Sequence, residues 1–136
     1  MQYMMLIYSD PAREPQYGTP EFAAMMKGFF DLNEVMKADG TLRGGEGLQG
    51  VETATSVRIK GGKVETMDGP FAETREHLGG YYIVDVPDLD AALRYAAMIP
   101  SASFGTIEVR PLMDYNPAGA WDERSRPRRD CRHPRA

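Results

Sequence analysis

The sequence predicts an α+β sandwich of the split βαβ kind, with two helices laid on one face of an antiparallel sheet. Three observations carry that reading. Short runs rich in β-branched and aromatic residues, such as Tyr3–Tyr8 and Gly80–Val86, alternate with longer stretches of helical spacing. Glycine and proline punctuate the joins between them. The length of 136 residues, 42% hydrophobic, is enough for one domain with a core of its own.

Tyr3 to Tyr8 is a compact apolar run, the signature of a buried strand. Asp10 to Gly18 holds two prolines and reads as a loop. Thr19 then stands as N-cap, with Pro20 at the first helical position and Glu21 in the first turn. Phe22, Met25, Met26, Phe29, Leu32 and Met36 recur on one helical face, and Gly40 is placed to stop the helix. A methionine-rich stripe of this kind is core material. Gly44-Gly45-Glu46-Gly47 is glycine-rich but lacks the Gly-Lys-Ser/Thr ending of a phosphate loop and opens no helix, so nucleotide binding is rejected and no strand is assigned there.

Thr55–Lys60 and Lys63–Met67 form a hairpin across Gly61-Gly62. Gly80 to Val86 is a strand, and Pro87 with the N-cap Asp88 opens a second helix. Leu89, Ala92, Leu93, Ala96 and Ile99 share its expected inner face, and Pro100 ends it. Thr106 to Leu112 is the last strand. The order is β-α-β(hairpin)-β-α-β. With both helices on one side, the other sheet face lacks cover, although runs such as Met4–Ile7 and Tyr82–Val84 are apolar toward both sides. A second copy of the chain is the economical cover, which predicts a homodimer through the uncovered sheet face.

The densest chemistry lies in Asp68-Gly69-Pro70-Phe71-Ala72-Glu73-Thr74-Arg75-Glu76, where three carboxylates and an arginine surround a Gly-Pro turn. Gly69 admits backbone angles closed to other residues and Pro70 fixes its own φ, so both read as structural, with Phe71 as an anchor that buries its ring. Asp68 is the candidate catalytic residue, a rigidly held general base, with turn or helix capping as the alternative role. Tyr8, Arg58, Glu73, Tyr82 and Arg110 are candidate ligand-binding groups. Arg58 lies between Val57 and Ile59, and Arg110 between Val109 and Pro111, so each projects opposite its apolar neighbours. On a face lining a dimer cleft they suit a carboxylate or phenolate ligand, and on a solvated face they are surface arginines. Glu73 and Glu76 also read as a solvated helical face with Arg75. Asp10, Glu46, Glu76, His77, Tyr81 and Glu108 complete the polar candidates.

The same nine-residue stretch, followed by Leu78-Gly79-Gly80-Tyr81-Tyr82, resembles the signature of the DGPF-domain proteins of the YCII-related family. Met4–Tyr8, Gly47-Leu48-Gln49, Ala54–Arg58 and Val109–Met113 agree with it, so the resemblance spans residues 1–113. It implies a ferredoxin-like fold that pairs into a dimeric α/β barrel. It implies little about reaction. Wider relatives are credited with a His–Asp pair, and no aligned histidine matches it here; His77 falls where that stretch ordinarily carries a non-titrating residue.

Residues 1–113 hold ten Lys/Arg against sixteen Asp/Glu, a charge of −6, whereas residues 114–136 hold six arginines against four acids, a charge of +2. That basic end has no apolar periodicity and reads as a flexible C-terminal extension, although Trp121 hints at local docking. An acidic body without interleaved aromatics does not point to nucleic acid. Cys131 stands alone, ruling out an intrachain disulfide, and one body histidine without a cysteine cluster predicts neither metal nor cofactor. No apolar run is long enough to cross a bilayer and no leader pattern opens the chain, which sets the expectation of a cytoplasmic protein.

Two functions stay open. One is a cofactor-independent enzyme performing carboxylate-assisted proton transfer, of isomerase or lyase type, on a small acidic or aromatic molecule in a dimer-associated cleft. The other is a non-catalytic ligand-binding or regulatory accessory protein, a role the family resemblance links to sigma factors.

Overall fold

The computed structural model describes residues 1–113; the basic extension, with Trp121 and Cys131, lies outside the described residues. Six strands and two helices follow in the order β1 (Gln2–Ser9), α1 (Pro20–Ala38), β2 (Leu42–Gly47), β3 (Thr55–Lys60), β4 (Lys63–Asp68), β5 (His77–Asp85), α2 (Leu89–Ala97) and β6 (Thr106–Pro111). Four strands form one antiparallel sheet in the order β2-β5-β1-β6, the ferredoxin-like arrangement of a split βαβ unit. This sheet is open, not closed into a barrel. Strands β3 and β4 form a separate two-stranded sheet.

Helix α1 begins and ends as its sequence dictates. Thr19 Oγ1 accepts the Phe22 N–H at 3.2 Å, and Pro20 occupies the first turn, where no N–H is needed. At the other end Gly40 takes φ +71°, its N–H donates to Lys37 O, and Thr41 N–H donates to Met36 O. Those two bonds close a Schellman motif and satisfy carbonyls the helix leaves free. In α2 the Asp88 carboxylate caps Ala91 N–H at 2.9 Å.

The core lies between the helices and one sheet face. Tyr3, Met5 and Ile7 from β1 and Tyr82 and Val84 from β5 meet Leu32 and Met36 from α1 and Ala91, Ala92 and Ala96 from α2. The inner face of α2 differs from expectation: Leu89 and Leu93 are each 46% exposed, and the alanines face the sheet. Small side chains allow the helix to approach closely, and Ile99 beyond its end fills the space left.

Two further expectations are corrected. The glycine-rich Gly44–Gly47 segment is a strand, β2, and it forms the sheet edge that the hairpin was expected to supply. Gly45 pairs with Tyr82, and a Cβ there would lie 2.7 Å from the Tyr82 ring, so the ring covers the glycine and supplies packing the strand itself lacks. The hairpin turn is as expected, with Gly61 and Gly62 at φ +58° and +77°. Residues 70–76, expected to be partly helical, hold no helix.

Candidate functional site

Alternation along the strands divides the candidate residues between two sheet faces. Tyr3, Met5, Ile7 and Ser9 are buried toward the helices, which turns Met4, Leu6 and Tyr8 to the free face. The β5 pattern likewise buries Gly80, Tyr82 and Val84 and sends Tyr81 and Ile83 to the free face. Pairing then sets two cross-sheet rows there. One is Glu46–Tyr81–Leu6–Glu108 and the next is Gly44–Ile83–Met4–Arg110. The result is a half-buried apolar centre of Met4, Leu6 and Ile83 with carboxylates at both rims and a guanidinium at one.

Arg110 therefore takes the free face, one of the two placements its sequence neighbours allow. Its Nη2 donates to Glu108 Oε2 at 3.4 Å, both side chains being solvated. Exposed pairs of this kind contribute at most about 1 kcal/mol, so the guanidinium keeps donors for an anion. Tyr8 joins the same face beside a bulge, where Ile7 pairs with Gly80 and Tyr8 with Leu78. Tyr82 goes to the helix side instead, and burial raises its phenol above the ordinary 10.0.

The hairpin places Arg58, Asp68 and Phe71 elsewhere. Arg58 pairs with Glu65 and Asp68 with Thr55. Arg58, Glu65, Met67 and Phe71 help line an open cleft of about 620 Å³ in which Asp68 takes no part. Phe71 does not bury its ring as expected, being 72% exposed. Gly69 takes a positive φ, +92°, and its N–H donates to Ala54 O at 2.7 Å while its carbonyl accepts from Ser56 Oγ at 2.8 Å. Asp68 and Glu73 are exposed. Past Pro70, Thr74 Oγ1 donates to Glu76 O, and Arg75 Nε lies 4.0 Å from Asp10 Oδ2, loosely linking this loop to the end of β1. The expected grouping of Asp68 with the arginines and tyrosines is thus not formed within one chain: Arg110 and Tyr8 share the sheet face, Arg58 and Phe71 share the hairpin cleft, and Asp68 joins neither. One polar residue escaped sequence reading altogether. Asn33, inside the apolar stripe of α1, has its Oδ1 buried with no hydrogen-bond partner among the described residues. Its signal was a lone amide at helical spacing from Phe29 and Met36.

Among the described residues, no group of three or more His, Cys, Asp or Glu is placed to hold a metal ion, and no helix is long and apolar enough to cross a membrane.

Fold and face together define a class, a ferredoxin-like α+β domain with one sheet face free of other elements among the described residues. The model of the YCII-related domain matches residues 1–116, and the chain belongs to the YCII-related family. It is similar to an uncharacterized protein of Rhizobium meliloti, 34% identical over 119 residues, a match covering 86% of this chain and 96% of that one.

Proposed function

We propose that this chain binds a small acidic or aromatic molecule on the free face of the sheet, in a cleft completed by a second copy of the chain. The observation that carries this is the pair of rows ending in Glu108 and Arg110 across a floor of Met4, Leu6 and Ile83. An apolar floor contributes contact area, and a few convergent polar groups fix orientation, as small-molecule sites require. Arg110 supplies a planar, permanently charged fork that matches a carboxylate, and Tyr8 and Tyr81 supply ring surface and hydroxyls. A second copy facing the first would double this set about a two-fold axis and remove the apolar floor from water.

Binding without turnover is the favoured form of this function. A general base works best when held out of water beside its substrate, whereas Asp68 is exposed on a hairpin apart from the sheet. Carboxylate-assisted proton transfer by Asp68 is the second form, and it requires the hairpin of one copy to reach the free face of the other.

A thermal-shift screen of aromatic and cyclic carboxylic acids tests the site. Wild type should be stabilised by at least one acid, and Arg110→Ala should lose that shift. A stabilising acid whose effect survives Arg110→Ala would sink the proposed site. Consumption of such an acid, abolished by Asp68→Asn, would overturn the favoured form and establish the second.

A further inference from the structure

We propose a second binding site on the opposite side of the sheet, between α1 and the edge strand β2, that takes a small, flat, uncharged phenol-type molecule. A cavity of about 320 Å³ opens there, within the range of small-molecule sites. Met26 and Phe29 of α1 form one wall and the Tyr82 ring contributes to another. Ile7 and the strand segments Gly45–Gly47 and Gly79–Tyr81 add to the surface. Glu46 and Tyr81 turn their side chains to the free face, so the strand surface turned toward α1 is largely glycine backbone. A slot walled by an aromatic ring, a thioether and bare backbone fits a planar ring.

Asn33 decides which ring. It lines the cavity, yet its Oδ1 is buried without a hydrogen-bond partner among the described residues. Buried polar atoms are ordinarily paired, and an unpaired one in an apolar setting is costly. The terminal torsion of an asparagine is soft and roughly two-fold and exchanges its oxygen and nitrogen, so either end can be presented to the cavity, and a phenolic hydroxyl pairs with both, donating to the oxygen or accepting from the nitrogen. An adjoining hollow of about 430 Å³ shares Asn33, Gly45 and Tyr82 and reaches Lys37 and Arg43. Lys37 and Arg43 are solvated and line only that outer hollow, and among the described residues no Lys or Arg lines the cavity beside Met26 and Phe29. With no free counter-charge inside, a carboxylate would enter unpaired, and a neutral ligand is selected.

Gly47 provides a clean control. It lines the cavity, a Cβ added to it meets nothing within 4 Å, and its φ is not positive, so a side chain there fills the slot without straining the strand. The test is an amide-resolved NMR titration of the full chain with phenol and, separately, with toluene. Phenol should perturb Gly45, Gly47, Gly79 and Gly80 with a Kd of about 1 mM, as few heavy atoms permit. Toluene should bind about five- to tenfold more weakly, for want of the hydrogen bond. Asn33→Leu should erase that preference, Gly47→Leu should abolish both, and Arg110→Ala should change neither, which keeps this site distinguishable from the one on the free face. The proposal is overturned by folded wild type silent to about 20 mM phenol, by perturbations confined elsewhere, or by undiminished binding in Gly47→Leu. If Gly47→Leu does not fold, the phenol-to-toluene ratio in Asn33→Leu decides.

Discussion

Arg58 and Asp68 stand on opposite faces of one hairpin. Arg58 pairs across the ladder with Glu65, and Asp68 lies three residues beyond Glu65 on the same strand, which inverts its side. The base candidate beside the Gly-Pro turn and the hairpin arginine therefore do not share a site within one chain. Arg58→Ala and Asp68→Asn should each change stability by less than about 0.5 kcal/mol, since both residues are exposed. Their effects on any ligand-induced shift should add to within about 0.5 kcal/mol in a double-mutant cycle. A coupling well above that would mean the two groups meet, which only a partner's hairpin allows.

Substitution on the free face should separate copies of the chain. Leu6 sits at its centre between Tyr81 and Glu108. Leu6→Asp should yield a monomer by sedimentation at micromolar concentration, because a buried carboxylate in an apolar contact has no partner. Leu93→Asp, on the solvated side of α2, should leave the assembly unchanged. A wild type that is monomeric from the outset would remove the dimeric cleft.

The edge strand depends on one glycine. A Cβ at Gly45 would meet the Tyr82 ring at 2.7 Å and the Tyr81 carbonyl at 2.8 Å, the latter being backbone and unable to turn aside. Gly45→Ala should cost about 1–3 kcal/mol in urea unfolding. Gly47→Ala, with nothing within 4 Å, should be nearly neutral, so equal costs at the two positions would contradict this packing.

Tyr95 Oη donates to Asp39 Oδ2 at 2.6 Å, joining α2 to the C-cap of α1. Tyr95→Phe should lose about 1 kcal/mol at neutral pH. The hydrogen bond to Asp39, with burial as a lesser cause, raises the phenol above 10.0. A raised folded-state value means the contribution is complete below the unfolded value near 10 and disappears as pH climbs through the folded one. The gap between wild type and Tyr95→Phe, read from denaturant midpoints at pH 8 and at rising pH through the titration of the folded phenol, should therefore narrow as pH climbs. A gap of constant size would show that the hydroxyl's bond is not its source.

Local chemistry in the sequence determined both helices, their caps and stops, the Gly-Gly turn of the hairpin and the apolar character of β1 and β5. Each of these follows from residues within a few positions of one another: Thr19 and Asp88 cap because their oxygens reach an N–H three residues on, and Gly40 and Gly61 accept positive φ. Only the tertiary structure decided which strand completes the sheet. Glycine has no strand preference of its own, and Gly45 belongs to β2 because a tyrosine 37 positions later lays its ring over it. It also decided which candidate residues share a surface. Arg110 and Tyr8 are brought to one face, and Arg58 and Asp68 are parted, by ladder registers that link distant segments and that local spacing does not encode.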